Sequence, residues 1–288
     1  MQVERTIDGA RRAVAAARQK GRRVALVPTM GYLHDGHLSL VDLARAHSDF
    51  VVVSIFVNPR QFGPSEDLDT YPRDEERDQR ALEARNVDLL FAPEPDTVYP
   101  HRFATTVSVG GVAEPLEGER RPGHFDGVAT VVLKLFNIVQ PDLAVFGQKD
   151  AQQCAVIRRV VDDLNLPVEI LIAETRREPD GLAMSSRNSY LDHNERERAT
   201  LLHRALTAGR DALQRRETPD EAEIAMRDSV NGSVDVRIDY LRVVDPETFQ
   251  RPVDTAGDLL VVGAMYVGGT RLIDNLEVAR QDRSKTPE

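Results

Sequence analysis

The chain has 288 residues, 41% of them hydrophobic, so it can build one large domain and a smaller one around proper cores. Its formal net charge of −10 argues against a nucleic-acid-binding surface and requires a locally basic pocket for any anionic substrate. The single cysteine, Cys154, excludes a disulfide within the chain, and we expect it to be a small buried residue on a helix. No apolar run approaches the roughly 20 residues of a membrane span, and residues 1–12 lack the apolar core of a signal peptide, so we expect a cytoplasmic protein.

Strand-like and helix-like segments alternate over residues 1–175, which predicts a Rossmann-like α/β domain, a parallel sheet with helices on both faces. The predicted helices cover residues 7–20, 38–47, 74–85, 127–139 and 151–164. The predicted strands cover residues 22–27, 50–57, 87–92, 143–146 and 168–173. The strand ends carry Met30, Asn58, Gln61, Gly147 and Lys149, where open α/β sheets bind ligands.

The pattern changes over residues 176–288, which we expect to form a smaller α+β domain. Two charged helices are predicted over residues 193–216 and 219–230. Antiparallel strands are predicted over residues 236–243 and 259–266, and residues 281–288 are expected to be a frayed polar tail.

The most informative segment is Pro-Thr-Met-Gly-Tyr-Leu-His-Asp-Gly-His at residues 28–37, between a predicted strand and a predicted helix. The start of that helix presents free N–H groups and a positive dipole to a phosphate. His34 and His37 can direct imidazole donors at the same phosphoryl oxygens, while Gly36, which has no Cβ, lets a flat ring lie against the backbone. A metal site would need three or four ligands, and two ordinary surface histidines are the other alternative.

A second segment favours the phosphate interpretation. Residues 180–188 read Asp-Gly-Leu-Ala-Met-Ser-Ser-Arg-Asn, which pairs two hydroxyls with a permanent cation, a combination that suits a triphosphate. Asp180-Gly181 predicts a turn, and Gly181 can act as a hinge for a loop that closes on the nucleotide.

These two segments, together with Asn-Pro-Arg-Gln-Phe at residues 58–62 and Phe-Gly-Gln-Lys-Asp at residues 146–150, resemble the pantothenate synthetase (pantoate–β-alanine ligase) family. The resemblance implies ATP-dependent condensation of pantoate with β-alanine through a pantoyl-adenylate, releasing pyrophosphate and AMP, with Mg²⁺ and in a homodimer. It implies an ATP- and pantoate-binding domain over residues 1–175 and a lid domain over residues 176–288.

The resemblance also implies the site residues. Catalytic roles fall on His34, His37, Lys149 and Arg187. The implied ATP site consists of Met30, Gly31, Tyr32, Leu33, His34, Asp35, Gly36, His37, Gly147, Gln148, Lys149, Asp150, Arg176, Met184, Ser185, Ser186 and Arg187. The residues implied to bind pantoate are Gln61 and Gln153, with Asn58 beside them. Arg176 replaces the family's usual valine, and the resemblance implies that this position meets adenine through its backbone.

Several residues keep a second interpretation. Asn58 could cap a strand end, Gln153 could be an exposed helix position, and Lys149 with Asp150 could form a surface ion pair. Among the acidic residues that begin the helix over residues 74–85, Asp78 is the candidate Mg²⁺ ligand, although such a cluster usually complements the helix dipole. His124 is expected to be structural.

Two alternative functions remain. Another adenylyltransferase with the same His-x-Gly-His spacing, acting on a small carboxylate or nucleotide, would not need Gln61, Gln153 and the Asp-Gly-Leu-Ala run. A non-catalytic nucleotide-binding relative would be expected to lack at least one of the four catalytic candidates, and all four are present.

Overall fold

The computed structural model describes residues 1–253 and 257–279. By their internal contacts these residues form two units. The first comprises Met1–Gln148, Gln153–Arg176 and Met184–Ser186. The second comprises Lys149–Gln152, Arg177–Ala183 and the described residues from Arg187 onward.

The elements up to residue 173 alternate between strands and helices, except for three consecutive helices between the fourth and fifth strands. In chain order they are β1 (Gln2–Glu4), α1 (Ile7–Arg18), β2 (Val24–Thr29), α2 (Asp35–His47), β3 (Phe50–Ile55), α3 (Glu75–Ala84), β4 (Leu89–Phe91), α4 (Pro95–Val98), α5 (Glu117–Arg120), α6 (His124–Val139), β5 (Leu143–Gly147), α7 (Ala151–Asp163) and β6 (Glu169–Ala173).

The six strands form one parallel sheet in the order β1-β4-β3-β2-β5-β6. Alternate residues of β2 enter different cores, because successive side chains of a strand point to opposite faces. Val24 and Leu26 pack with residues of α1, α6 and α7, whereas Ala25 and Val27 pack with residues of α2 and α3. The predicted parallel sheet with helices on both faces is therefore confirmed. Strand β2 lies between β3 and β5, where the strand order reverses and where such sheets bind ligands.

Several details of this region differ from the prediction: the short helices α4 and α5 were not predicted, and helix α2 begins at Asp35 rather than at residue 38. Strand β1 was not predicted, because it has only three residues and two of them, Gln2 and Val3, are exposed, so it carries no apolar pattern. Helix α6 begins at His124 rather than at residue 127. Gly123, with φ +81°, precedes the helix, and His124 and Phe125 are buried in its first turn.

The second unit has two helices and an antiparallel sheet. They are α8 (His193–Gln214), α9 (Pro219–Val230), β7 (Val236–Val244), β8 (Leu259–Val267) and β9 (Thr270–Val278), with the strand order β7-β8-β9. Leu202 and Leu206 of α8 and Met226 of α9 share one core with the sheet. The predicted smaller α+β arrangement is confirmed, but β9 was missed, because Asp274 and Asn275 interrupt its apolar pattern although both are buried.

Three further expectations can be compared with the structure. Cys154 is buried on α7, as predicted, and its Sγ donates to the Gly147 carbonyl at 3.3 Å. Across the described ranges, no helix combines the length and apolar character needed to cross a bilayer. The predicted frayed tail over residues 281–288 lies outside the described residues.

Candidate active site

The loop that follows β2 has a backbone that only particular residues can adopt. Gly31 has φ +82°, and a methyl group there would lie 2.9 Å from Ile55 Cγ2. Tyr32 also has a positive φ, of 51°. The Gly31 N–H donates to Thr29 Oγ1 at 3.2 Å, and Thr29 Oγ1 in turn donates to the Ser54 carbonyl at 2.9 Å. Glycine is therefore required at position 31, and the loop is tied to the ends of β2 and β3.

The carboxylate of Asp78, on α3, accepts hydrogen bonds from the same loop. Its two carboxylate oxygens accept the backbone N–H groups of Tyr32 and Leu33, each at 2.7 Å. Burial raises the pKa of the Asp78 carboxyl, while these two hydrogen bonds oppose that rise. Arg77 completes the arrangement, because its guanidinium donates to the Leu33 carbonyl at 2.9 Å and lies 4.8 Å from the centre of the Tyr32 ring.

The geometry assigns Asp78 a different function from the predicted one of Mg²⁺ ligand. Both of its oxygens are engaged by backbone amides, which explains the burial of the carboxylate without a metal ion. Within residues 1–253 and 257–279, no three His, Cys, Asp or Glu side chains group in a way that could hold a metal. The sequence does carry a signal for the new role, since Asp78 and the buried Leu82 are four residues apart and share one helix face.

The two histidines meet at the start of α2, as expected from their spacing. Their ring centres are 4.0 Å apart, and the backbone N–H of His34 donates to His37 Nδ1 at 3.4 Å. Because Nδ1 of His37 accepts a hydrogen bond, a neutral ring carries its proton on Nε2, which can then donate to a ligand. A methyl group on Gly36 would lie 2.8 Å from His34 Nδ1, so the prediction that Gly36 makes room for a flat ring is confirmed.

Part of the Ser-Ser-Arg segment belongs to the first unit with this loop. Ser186 Oγ donates to the Tyr32 carbonyl at 3.2 Å, and the Met184 N–H donates to the Arg176 carbonyl at 3.0 Å. The Arg176 side chain is exposed, so its departure from valine leaves the packing of the core unchanged. Ser185 is half-buried between these two anchored residues.

The predicted pantoate residues Asn58 and Gln61 are neighbours just after β3. Asn58 is buried, and its amide makes four hydrogen bonds. Its Nδ2 donates to Gln61 Oε1 and to the Gly127 carbonyl, both at 3.1 Å, and its Oδ1 accepts from Tyr99 Oη at 2.8 Å and from the Arg60 N–H at 3.3 Å. Burial raises the pKa of Tyr99 to about 12, which keeps its hydroxyl a donor. Asn58 therefore has the capping role that was its alternative, and it fixes Gln61.

Gln61 is the residue of this group that can still face a ligand. Its Nε2 donates to Met30 Sδ at 3.1 Å, and each of its polar atoms has capacity for a further hydrogen bond. Its backbone carbonyl accepts from His124 Nδ1 at 2.9 Å, so His124 supports Gln61, in line with the structural role expected for it. Burial and the neighbouring Arg121 guanidinium lower the pKa of His124 to about 4, and its Nε2 then accepts from Arg121 Nη1 at 3.0 Å.

Four more of the predicted site residues lie at strand ends or helix starts of the first unit. Gly147 is the last residue of β5, Gln148 follows it, and both are half-buried. Gln153 is half-buried in the first turn of α7. Its burial therefore does not decide between a pantoate-binding residue and an exposed helix position. Asp35 is exposed as the first residue of α2.

The cationic candidates belong to the second unit. Lys149 Nζ lies 3.6 Å from Asp150 Oδ1, and the two side chains are 22% and 44% exposed, so the ion pair considered above is present. Arg187 is half-buried in a short 3₁₀ helix, Ser186–Tyr190. Asn188 Nδ2 of the same helix donates to the Ala183 carbonyl at 3.1 Å.

Sequence and structure comparisons agree on one relationship. Residues 2–277 match the family model described as pantoate-beta-alanine ligase. Pantothenate synthetase from Moorella thermoacetica is 51% identical over 285 residues, which cover 98% of this chain and 100% of the relative. The crystal structure of the Thermus thermophilus enzyme has a TM-score of 0.93 and 48% identity, and covers 97% of this chain and 100% of its own. That of pantoate-beta-alanine ligase from Francisella tularensis, complexed with beta-gamma ATP and beta-alanine, has a TM-score of 0.79 and 32% identity, over 96% of this chain and 97% of its own. The chain therefore belongs to the pantoate–β-alanine ligase family.

Proposed function

We propose that this chain condenses pantoate with β-alanine at the expense of ATP, and that the histidine loop after β2 binds the phosphates. The observation that carries the assignment is the pair of histidines at the N-terminus of α2, with ring centres 4.0 Å apart. This helix start follows β2, beside the reversal of strand order, and presents N–H groups and a positive dipole suited to an anion. The identity of the substrates, pantoate and β-alanine, is inferred from family membership.

The reaction proceeds in two displacements, neither of which needs a protein nucleophile. A carboxylate oxygen of pantoate attacks the α-phosphorus of ATP, a new P–O bond forms, and pyrophosphate leaves with the electron pair of the broken bond. The neutral amine of β-alanine then attacks the acyl carbon, the C–N bond forms, AMP leaves, and the amine loses a proton to solvent. Catalysis of this kind depends on positioning and on neutralising the phosphoryl charge.

The side chains divide this work by their chemistry. His37 Nε2–H and the His34 ring act as donors to phosphoryl oxygens, and Lys149 and Arg187 neutralise charge. Gly31, Gly36, Ser185 and Ser186 belong to segments that approach the nucleotide closely. We assign Mg²⁺ to the substrate, as the counter-ion of ATP, since both oxygens of Asp78 already accept backbone N–H groups. No step of the mechanism depends on a protein-bound metal.

Pantoate is assigned to a pocket that combines amide groups with apolar walls. Gln61 supplies hydrogen bonds at the end of β3, and Gln153 supplies them from the first turn of α7. Asn58 acts on pantoate through Gln61 rather than by touching it, because its own amide is fully engaged. We assign the enzyme to the cytoplasm as a homodimer.

A single-turnover experiment tests the reaction. Enzyme is mixed with ATP labelled at the α-phosphate and with pantoate alone, and the products are quenched and separated. We expect one equivalent of pyrophosphate and an enzyme-bound pantoyl-adenylate, with AMP and pantothenate appearing only after β-alanine is added. Formation of ADP, or a requirement for β-alanine before pyrophosphate appears, would overturn the adenylate mechanism.

A further inference from the structure

Strand β9 carries two adjacent buried polar residues that the reaction described above does not use. Asp274 and Asn275 are 4% and 5% exposed, and they pair in the sheet with Gly263 and Val262 of β8. A buried carboxylate and a buried amide are costly unless each has good hydrogen-bond partners. Their partners therefore indicate what the two residues are for.

Asn275 holds the segment that contains Lys149. Its side-chain Nδ2 donates to the Lys149 backbone carbonyl at 3.0 Å. The same segment carries the ion pair between Lys149 Nζ and Asp150 Oδ1. Because the hydrogen bond is to the backbone of Lys149, it fixes the point from which this flexible side chain extends. An error of about 1 Å in the placement of a charged group can cost roughly 100-fold in rate.

Asp274 holds the turn that precedes the Ser-Ser-Arg segment. Its two oxygens accept from the Arg177 guanidinium at 2.6 and 2.9 Å, in the two-pronged geometry that arginine favours with carboxylates. The same guanidinium donates to the Gly181 carbonyl at 3.0 Å and to the Asn275 carbonyl at 3.2 Å. Arg177 thus joins β9 to both the start and the tip of this turn.

The turn itself is closely defined. Arg177 and Ala183 form an antiparallel bridge, and the Glu178 N–H donates to the Leu182 carbonyl at 2.8 Å. Gly181 has φ +94°, and a methyl group there would lie 2.4 Å from His203 Cδ2. The predicted turn at Asp180-Gly181 is confirmed, and it is packed against α8 and tied to β9.

We propose that Asp274 and Asn275 are positioning residues of the ligase, which set the Lys149 backbone and the turn over residues 177–183 from one short piece of β9. Asn275 acts on catalysis through Lys149, and Asp274 acts through Arg177 on the turn over residues 177–183. This inference rests on the proposed function, because it takes Lys149 and Arg187 to serve ATP.

A double-mutant cycle tests the Asn275 arm. Pyrophosphate release in a single turnover with saturating ATP and pantoate is measured for the wild type, Asn275→Ala, Lys149→Ala and the double variant. We expect Asn275→Ala to lower the rate about 10- to 100-fold, with pantoate affinity changed by less than about twofold. In the Lys149→Ala background the same change should have less than about a twofold effect, because the group that it positions is gone. Asn231→Ala, at the exposed end of α9, is the matched control and should leave the rate unchanged.

The outcomes separate the inference from the function on which it rests. Equal losses from Asn275→Ala in both backgrounds, or an unchanged rate, would overturn the positioning role. Absence of pyrophosphate release by the wild type would instead overturn the proposed function. Thermal unfolding is followed for every variant. If Asn275→Ala does not fold, Asn275→Gln, which keeps the amide donor on a longer side chain, is measured in the same cycle.

Hydrogen exchange tests the Asp274 arm in the full-length protein. In Asp274→Asn the amides of Glu178 and Gly181, which are hydrogen-bonded within the turn, should exchange about tenfold faster or more. The amide of Leu33, in the first unit, should exchange as in the wild type. Unchanged exchange at Glu178 and Gly181 would overturn this arm. Arg177→Lys, which keeps the charge but loses the two-pronged geometry, is the second variant if Asp274→Asn does not fold.

Discussion

The backbone of the loop over residues 30–34 in the first unit contacts both a carboxylate and a guanidinium, whereas that of the turn over residues 177–183 in the second contacts a guanidinium. In the first, backbone N–H groups of Tyr32 and Leu33 donate to the carboxylate of Asp78. In the second, the backbone carbonyl of Gly181 accepts from the guanidinium of Arg177, which a carboxylate on β9 holds in turn. A carboxylate therefore contacts the first loop directly and the second through a cation.

This difference follows from what each backbone leaves exposed. The positive φ values of Gly31 and Tyr32 turn consecutive N–H groups to one side, where a carboxylate can accept both. The tip of the turn in the second unit instead presents a carbonyl, which needs a donor. Backbone groups of short glycine-containing motifs thus form hydrogen bonds with residues far along the chain. The partner is an anion where the backbone group is an N–H and a cation where it is a carbonyl.

The largest effect should come from the histidine that the first loop presents. His37→Ala should lower the rate of adenylate formation about 100- to 1,000-fold while weakening ATP binding far less, because a donor to the transferring phosphoryl group acts mainly in the transition state. Quenched-flow rates and equilibrium binding of ATP measure the two quantities. His47→Ala, at the exposed end of the same helix, is the control. Small and equal effects on both quantities would make His37 a structural residue.

A pH titration sharpens the comparison, because the His124 ring, which supports Gln61 in the first unit, accepts a hydrogen bond from Arg121 only while it is neutral. Its pKa falls from 6.5 to about 4 on folding, so the unfolded chain takes up the proton first as the pH drops. The free energy of unfolding should be unaffected by this group above pH 6.5 and should decrease by about 3 kcal/mol at most between pH 6.5 and 4. Denaturant unfolding of the wild type and His124→Gln across this range measures the difference.

The control for that titration is the exposed His101. His101→Gln should keep the pH slope of the wild type, whereas His124→Gln should flatten it. Identical slopes for the wild type and both variants would show that His124 does not remain neutral on folding. Burial and Arg177 also lower the pKa of His203 in the second unit, so His203→Gln should change the slope in the same direction.

Asp78→Asn should break the support of the first loop without removing much volume. The new amide group must turn its NH₂ toward one of the two backbone N–H donors, which loses that hydrogen bond and costs about 2 kcal/mol of unfolding free energy. Adenylate formation should slow as the loop shifts. Glu76→Gln, on the same helix with a side chain that is 88% exposed, is the control and should stay near the wild type. If both variants unfold alike, the carboxylate of Asp78 does not hold the loop.

The smallest effect is expected from Gly36→Ala. The added methyl group would lie 2.8 Å from the His34 ring, which must move away from the helix start. We expect ATP affinity to fall about fivefold, equivalent to about 1 kcal/mol. Gly269→Ala is the matched control, because a methyl group at Gly269 meets no described atom within 4 Å. Isothermal titration with ATP compares the variants, and equal affinities would contradict the packing described for His34.

Local signals predicted most of the fold and the histidine loop. The contact between Gly36 and His34 could be predicted because the two residues are neighbours in the chain, and α8 and α9 begin at capping boxes that their sequences contain. The missed strand β9 shows the limit, since Asp274 and Asn275 look like solvent-facing residues until Arg177 and Lys149 are placed beside them. Those contacts join residues 97 and 126 positions apart, a distance over which periodicity carries no information.

The hydrogen bond from Asn275 to Lys149 also determines when, during synthesis of the chain, the Lys149 backbone can be fixed. The strands of the six-stranded sheet all lie within residues 2–173, but the donor that fixes the Lys149 backbone is synthesised 126 residues after it. At about 5–20 residues per second, a ribosome needs roughly 6–25 s to make that stretch. A nascent chain can therefore complete its first sheet well before Lys149 is in place, and we expect pantoyl-adenylate formation to reach its full rate only once β9 has left the ribosome.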